Sequence, residues 1–226
     1  AGTRLEIFNA IVNGMTWLLN WLYQLTVVIG LPNYGLAIIL LTIVIKMVLY
    51  PLTQKQMKSM LAMQQLQPKI KEIQDKWKNK DPKKAQEQIM QLYKENNVNP
   101  AAGCLPLLIQ MPILIALYKS HFAFPYANAA HASFIWLQNL SDRDPYYILP
   151  VLAGVTTYLQ SKLTTTSTDP TQKMMLYTMP IFIAWISSTV PAGLALYWAT
   201  FNVVSAVQQY FINKQTVVIK GEAGGK

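Results

Sequence analysis

A lysine inside a hydrophobic stretch is the feature that most constrains this sequence. The stretch runs from Tyr34 to Leu52, reads YGLAIILLTIVIKMVLYPL, and is apolar over almost its whole length apart from Lys46. About 20 apolar residues, each rising about 1.5 Å along a helix, span a hydrocarbon core of about 30 Å. A charge at the centre of a bilayer costs roughly 3 kcal/mol or more. We therefore expect a transmembrane helix in a fold that solvates or uses the ammonium group.

Two interpretations of Lys46 follow from its position. It lies five residues before Pro51, about 7 Å of helix from the end of the stretch, so its stem can lie along apolar neighbours and lift the charge to the membrane interface. In the other interpretation, Lys46 lies on the wall of a water-filled cavity inside the membrane. The stretch alone does not choose between them.

Composition places the chain among integral membrane proteins. Hydrophobic residues make up 52% of the 226 residues, and the mean hydropathy is +0.22. The net charge of +9 suggests a nucleic-acid partner, but eleven of the nineteen basic residues fall between Lys55 and Lys119. Most of these flank predicted spans, where lysine and arginine mark the cytoplasmic side of the membrane. We therefore expect the lipid bilayer as a partner and no direct contact with nucleic acid.

The sequence contains no motif that is typical of an enzyme. The single cysteine, Cys104, excludes an internal disulfide and supplies no zinc site, and the two histidines suggest no metal site either. We find no Gly-rich phosphate loop, no Ser-His-Asp set and no paired intramembrane carboxylates. We expect neither enzymatic activity nor a metal or other cofactor.

The N-terminal segment, residues 1–30, is predicted to form an amphipathic helix in the plane of the membrane. Polar residues recur there at helical spacing, and aromatic residues occupy the other faces. Such a helix suits the membrane surface better than its interior. A cleaved signal peptide is a poor match, because a basic start and a small-residue cleavage site are not evident. The polar stripe consists of Asn9, Asn13, Thr16, Asn20 and Gln24.

Residues 53–100 follow the first predicted span, 31–52, and are expected to form an antiparallel helical hairpin. Positions 53–99 hold ten lysines and five acidic residues, with no run long enough to cross a bilayer. Residues 79–82, NKDP, indicate a turn, with a proline suited to opening the second helix. The apolar stripes on the two helices are Ile70, Ile73 and Trp77, and Ala85, Ile89 and Leu92.

Residues 101–214 are predicted to contain four further spans, and residues 215–226 a disordered tail. Lysines concentrate in the hairpin, in the loop 162–173 and in the tail, so the hairpin and the C-terminus are expected in the cytoplasm and the N-terminus outside. The predicted fold is an all-α integral membrane protein with five transmembrane helices, the in-plane helix and the cytoplasmic hairpin. The four spans are 101–122, 146–163, 174–190 and 194–212.

Five runs of the sequence, between about residues 34 and 213, carry a resemblance to a known family. The runs are KMVLYPLTQKQMKSM, MQQLQPKI, YKENNVNPAAGCLPLLIQMPI, DPYYILPVLAG and PAGLALYWATFNVVSAVQQYFI. On these runs, which stand in the family's order, the chain resembles the bacterial YidC/Oxa1/Alb3 membrane protein insertases. The resemblance implies a five-helix core around a hydrophilic groove that opens to the cytoplasm and sideways to lipid.

The resemblance also implies which residues bind substrates in the groove. Lys46 stands where the family has an intramembrane arginine, so the charge is kept and the planar five-donor fork is lost. Thr42 lies four residues earlier on the same helix face and matches a groove residue, although its hydroxyl can instead bond to its own helix. Trp198 matches a substrate-contacting aromatic residue, although its place near the start of a helix also suits a membrane interface.

Three more predicted groove residues lie on the second span. Met111 and Leu114 match apolar positions that contact substrates in the family. Gln110 has no family role, and an interhelical hydrogen bond suits it as well as a groove contact does. The complete predicted set is Lys46, Thr42, Trp198, Met111, Leu114 and Gln110.

The function implied by the resemblance is insertion of nascent membrane proteins. Family members act alone or beside the SecYEG translocon. We expect a monomer in the bacterial inner (plasma) membrane, with the ribosome or targeting machinery docking on the hairpin. The alternatives are a small ion or solute transporter with Lys46 as its ion site, and a structural scaffold in which Lys46 snorkels. Against a transporter, the sequence shows neither a second intramembrane charge nor a pair of matching interrupted spans.

Overall fold

Helices make up nearly all of the regular structure. The structure is a computed structural model and describes residues 2–31, 33–99, 105–122, 134–135, 137, 140, 142–164 and 170–214. Within these ranges the architecture is all-helical, as predicted, with only an isolated bridge between Phe134 and Leu137. The predicted tail, 215–226, lies outside them. The helices are α1 Gly2–Val28, α2 Tyr34–Val48, α3 Tyr50–Trp77, α4 Pro82–Glu95, α5 Leu105–Phe122, α6 Ile148–Thr164, α7 Pro170–Ser187 and α8 Ala192–Asn213.

The helix that contains Lys46 ends earlier than the sequence suggested. Instead of continuing to Leu52, α2 ends at Val48, and α3 leaves it at a bend of 71°. Pro51 explains the break, because its ring lacks an N–H donor and clashes with the carbonyl four residues before it. In the first turn of α3 the missing donor has no cost. The bend places Lys46 in the last turn of α2.

Helix length and hydropathy do not single out one spanning helix. Among the described helices, none is both long and apolar enough to cross a bilayer alone, whereas α2 and α3 satisfy the criterion together despite their bend. Shorter apolar stretches lie at 108–118 in α5 and at 173–187 in α7. The count of five spans therefore stays a prediction.

The main hydrophobic core forms where α1, α2, α5 and α8 meet. The Tyr23 ring of α1 stacks on the Tyr34 ring of α2, with centroids 3.9 Å apart and planes within 5°. On the other faces of α1, Trp17 and Trp21 are exposed, so one face of this helix packs on the bundle while its two tryptophans remain outside. Its orientation in the plane of the membrane stays a prediction. Other members of the core are Leu19, Leu22, Ile38, Leu41, Leu117 and Tyr197.

Close approach of backbones joins α6 to α7. A Cβ atom added to Gly154 of α6 would lie 2.9 Å from the carbonyl oxygen of Pro180 and 3.0 Å from the Ala184 Cβ. Because only glycine leaves room for that carbonyl, Gly154 sets the spacing of the two helices.

A short connection orders the start of α8. The backbone N–H groups of Ala192 and Gly193 donate to the carbonyl oxygens of Asp142 and Leu140, at 2.7 and 2.8 Å. These bonds satisfy donors that a helix start leaves without partners. They hold the segment before α6 against the first turn of α8.

Helices α3 and α4 form a hairpin whose near end reaches the bundle. Asp81 precedes α4 and its carboxylate accepts from the Lys84 N–H at 3.3 Å, as an N-cap residue does. On the bundle side, Met57 and Leu61 of α3 pack against Ile212 of α8. The seam between α3 and α4 buries Ala62, Leu66, Ile70, Ile89 and Val98.

Candidate functional site

A cavity of about 310 Å³ lies between α2, α3, α5, α6, α7 and α8, and we call it the central cavity. Apolar residues such as Ile109 of α5 and Met179 and Ile183 of α7 form part of its wall. The polar part of the wall comes mainly from α3, α6 and α8, with Lys46 from α2 and Gln110 from α5. It includes Lys46, Gln56, Gln110, Asn202, Ser205 and Gln209.

The ammonium group of Lys46 lies on the wall of this cavity. Its Nζ donates to Ser205 Oγ at 2.9 Å and lies 4.6 Å from the centroid of the Phe201 ring. Both partners are neutral, and Lys46 makes no ion pair with any residue that the structure describes. With an exposed fraction of 5%, the side chain does not carry its charge to the outer surface. Among the described residues this positive charge is therefore buried without a counter-charge, at the wall of a cavity that also carries polar side chains.

Trp198 lies in a hydrogen-bond network that links α8 to α6. Its indole Nε1–H donates to Thr157 Oγ1 at 3.0 Å. The Asn202 amide donates to the same oxygen at 3.0 Å and to Thr156 Oγ1 at 3.2 Å. This network fixes the indole ring at the cavity wall, so Trp198 has a defined orientation there.

Gln110 combines the two roles that the sequence left open. Its Nε2 donates to the hydroxyl of Tyr197 at 3.1 Å, which is a buried bond between α5 and α8. The same side chain also lines the central cavity.

The other three predicted groove residues lie away from the described lining of the cavity. The Thr42 hydroxyl donates to the Ile38 carbonyl of its own helix at 2.8 Å. Met111 is exposed on the outside of α5, and Leu114 packs against the main core. Substrate contacts by these three residues therefore stay predictions.

Sequence reasoning missed several polar residues of α8 that line the cavity. The signal was present, because Trp198, Asn202, Ser205 and Gln209 follow one another at spacings of four, three and four. That spacing places them on one face of a helix. The stripe was missed because the residues between these four are mostly apolar, so the segment as a whole has the hydropathy of a transmembrane span.

A second cavity, of about 600 Å³, lies on the other side of Lys46, between α2, α3 and α8. We call it the outer cavity. Its wall is largely apolar, with Met47, Val207 and Phe211 among its members, and Lys46 lines it as well. In the same wall the Gln208 amide donates to Gln54 Oε1 at 3.2 Å.

Comparisons with known proteins identify the family. The sequence profile of the 60Kd inner membrane protein family matches residues 21–220. The chain is 47% identical over 185 residues to the membrane protein insertase YidC of Syntrophus aciditrophicus, covering 81% of this chain and 33% of that protein. It is 44% identical over 210 residues to YidC of Wolinella succinogenes, covering 92% and 38%.

A solved structure is similar as well. It is described as an active YidC insertase crystal structure with the first transmembrane domain resolved. The TM-score is 0.72 at 34% sequence identity, over 90% of this chain and 46% of that one. The chain thus spans about a third to two fifths of the length of the curated relatives that it matches.

Proposed function

The chain belongs to the 60Kd inner membrane protein family, the family of the YidC membrane protein insertases, and we propose that it inserts membrane proteins by passing short polar segments through the central cavity. The observation that carries this proposal is the Lys46 ammonium. It is buried, it contacts only neutral groups among the described residues, and it lines a cavity whose mostly apolar wall also carries several polar side chains.

The cavity lowers the barrier for a polar segment in two ways. A cavity inside the bundle that offers polar side chains shortens the hydrocarbon distance that the segment crosses. The ammonium also attracts acidic side chains, because two opposite charges about 4 Å apart attract by about 4 kcal/mol at an effective dielectric of about 20, against about 1 kcal/mol in bulk water. The segment therefore exchanges part of its hydration for contacts with Lys46 and the polar wall.

Release into lipid needs no nucleotide in this proposal. Once the polar segment has crossed, the apolar stretch that follows it moves along apolar side chains into the bilayer. Ile109, Met179 and Ile183 offer such a surface within the cavity. Met111, on the outside of α5, and Leu114 are proposed to contact the stretch after it has left the cavity. Burial of apolar area in hydrocarbon drives this step.

The arrangement in the membrane is part of the proposal. Five spans, an in-plane α1 and a cytoplasmic hairpin of α3 and α4 fit the distribution of lysines, which gives residues 53–99 ten lysines against five acidic residues. In this arrangement the protein acts as a monomer on nascent membrane proteins, alone or beside the SecYEG translocon. The hairpin is the proposed docking place for the ribosome or the targeting machinery.

The direct test is an insertion assay in vesicles with variants of Lys46. Lys46→Arg is expected to retain insertion, whereas Lys46→Ala and especially Lys46→Glu impair insertion of single-span substrates with acidic translocated segments, because Lys46→Glu adds repulsion. Substrates without acidic residues lose less. Lys162→Glu is a matched control, because it makes the same charge change at an exposed position outside the cavity. Equal insertion of an acidic substrate by Lys46→Glu and the parent protein would refute the electrostatic role.

A transporter is separated from an insertase by access to position 46. If the cavity is a groove that is closed on the outside, a cysteine placed at position 46 will react with membrane-impermeant reagents added on the cytoplasmic side and not with those added outside. Reaction from both sides would support a transport path, and reaction from neither side would support a dry scaffold.

A further inference from the structure

Neighbouring glutamines of α8 face different cavities and differ in their hydrogen bonding. Gln208 lines the outer cavity and donates to Gln54 Oε1 at 3.2 Å. Gln209 lines the central cavity together with Gln56 of α3. Within the part of the chain that the structure describes, Gln56 Nε2 and Gln209 Oε1 are buried and have no hydrogen-bond partner. At the outer cavity, Gln208 and Gln54 therefore hydrogen-bond to each other. At the central cavity, the Gln56 and Gln209 amides do not.

The orientation of Gln209 is set by its other amide atom. Its Nε2 donates to Asn213 Oδ1 at 2.7 Å, so Oε1 is the atom that remains without a partner. The side chains of Gln209 and Gln56 are 0% and 7% exposed. A buried amide atom without a partner destabilises a fold. Two such atoms on the wall of one cavity indicate a polar ligand that occupies the cavity for part of the time.

We infer that Gln56 and Gln209 form a subsite for the peptide backbone of the segment in transit. This inference rests on the proposed insertase function. Gln56 Nε2 donates to a backbone carbonyl, and Gln209 Oε1 accepts from a backbone N–H. A neutral donor and a neutral acceptor match the groups that nearly every residue of a peptide carries. The subsite therefore serves any translocated segment, whereas Lys46 favours the acidic ones.

The test separates backbone binding from charge. Two single-span substrates are compared that differ only in carrying two aspartates or two asparagines in the translocated segment. The double variant Gln56→Met and Gln209→Met is expected to lower the insertion rate of both substrates by the same factor, roughly tenfold for two lost hydrogen bonds. Its melting temperature in detergent is expected to stay close to that of the parent protein, because removal of an unpaired donor and an unpaired acceptor offsets the loss of the hydrogen bond from Gln209 Nε2 to Asn213 Oδ1.

A matched control is available on the same helix as Gln56. Gln54→Met makes the same chemical change two residues earlier, at the wall of the outer cavity, and is expected to leave insertion unchanged. If the double variant does not fold, the single variant Gln56→Met replaces it, because Gln56 Nε2 has no hydrogen bond to lose.

Three outcomes would overturn the inference while leaving the proposed function intact. Normal insertion by the double variant, with Lys46→Glu still defective, would mean that water alone satisfies the two amides. A loss confined to the aspartate substrate would mean that the glutamines act through charge. A lower melting temperature that accounts for the loss of insertion would mean a structural role. By contrast, normal insertion of the aspartate substrate by both the double variant and Lys46→Glu would refute the passage of the polar segment through the central cavity, which is the proposed mechanism.

Discussion

Lys46 Nζ donates a hydrogen bond of 2.9 Å to Ser205 Oγ and so joins α2 to α8 across 159 residues of the sequence. A hydroxyl group fixes the position of the ammonium without cancelling its charge. The Phe201 ring, one turn earlier on α8, adds a cation–π contact at 4.6 Å. The cation is thus positioned by neutral groups, and in the proposed function its charge attracts an incoming carboxylate.

Replacing Ser205 should separate the position of the charge from its presence. Hydrogen bonds to charged groups contribute about 1.5–3 kcal/mol, so Ser205→Ala is expected to lower the free energy of unfolding by about 1–2 kcal/mol. Insertion of acidic substrates should be largely retained, because the charge remains. Thermal unfolding in detergent and vesicle insertion are the two measurements. Thr200→Ala is the control, since it removes a hydroxyl bonded only to Leu196 of its own helix; an equal loss of stability there would contradict a special role for Ser205.

Replacing Lys46 with methionine should lower insertion without lowering the stability of the fold. A buried lysine carries a desolvation cost of roughly 3 kcal/mol in a membrane helix, and methionine has a similar volume without the charge. Against this stands the loss of the Ser205 bond, so the free energy of unfolding is expected to stay equal or rise by up to about 2 kcal/mol. Insertion of acidic substrates should fall at the same time. A Lys46→Met protein that is clearly less stable than the parent would show that the ammonium serves the fold.

Local sequence signals predicted the positions of most helices. The apolar run that ends at Ile212 corresponds to α8, and the NKDP turn at 79–82 precedes α4, which begins at Pro82. Pro51 also indicated the break at Leu49. The prediction nevertheless continued the helix to Leu52, because it followed the hydropathy of the segment. Hydropathy measures how well a segment suits lipid and contains no information on where its backbone can bend.

The candidate site was less predictable, because its contacts join residues that are distant in sequence. Lys46 is evident as a charge among apolar residues, yet Ser205 and Phe201 become its partners only through the packing of α2 on α8. Thr42 shares a helix face with Lys46, but its hydroxyl bonds to Ile38 of the same helix. A shared helix face therefore does not determine which side chains reach a cavity.

The spacing of α6 and α7 offers a test of the fold with a built-in control. Gly154→Ala would place a methyl group 2.9 Å from the Pro180 carbonyl oxygen and 3.0 Å from the Ala184 Cβ. Such overpacking typically costs about 1–3 kcal/mol, and Gly154→Leu should cost more. Gly14→Ala in α1 meets no atom within 4 Å and should instead stabilise the protein by up to about 1 kcal/mol. Similar melting temperatures for the two alanine variants would contradict the close contact.

The distal part of the hairpin should be separable from the bundle. The near end of α3 is anchored by Met57 and Leu61 against Ile212, whereas Ile70 and Ile89 belong to a cluster whose described members all lie in the hairpin or directly after α4. Amides of residues 71–95 are therefore expected to exchange hydrogen faster than those of α8, because fewer buried apolar contacts hold them. Hydrogen exchange followed by mass spectrometry measures this directly, and equal protection of the two regions would contradict it.

Deleting that distal part should then remove function without removing the fold. If residues 70–95 are replaced by a short Gly/Ser linker, the anchor between α3 and α8 remains, together with the hydrogen bond of 3.1 Å from Gln64 Nε2 to the Leu163 carbonyl. The variant is expected to reach the membrane and to keep its melting temperature, because the central cavity lies on the bundle side of this anchor. Insertion of single-span substrates should fall strongly, since the proposed docking place for the ribosome or targeting machinery is gone. Replacing only residues 78–80 of the turn by glycines and serines is the control, because it keeps both helices. A deletion variant with normal insertion would show that the hairpin is dispensable.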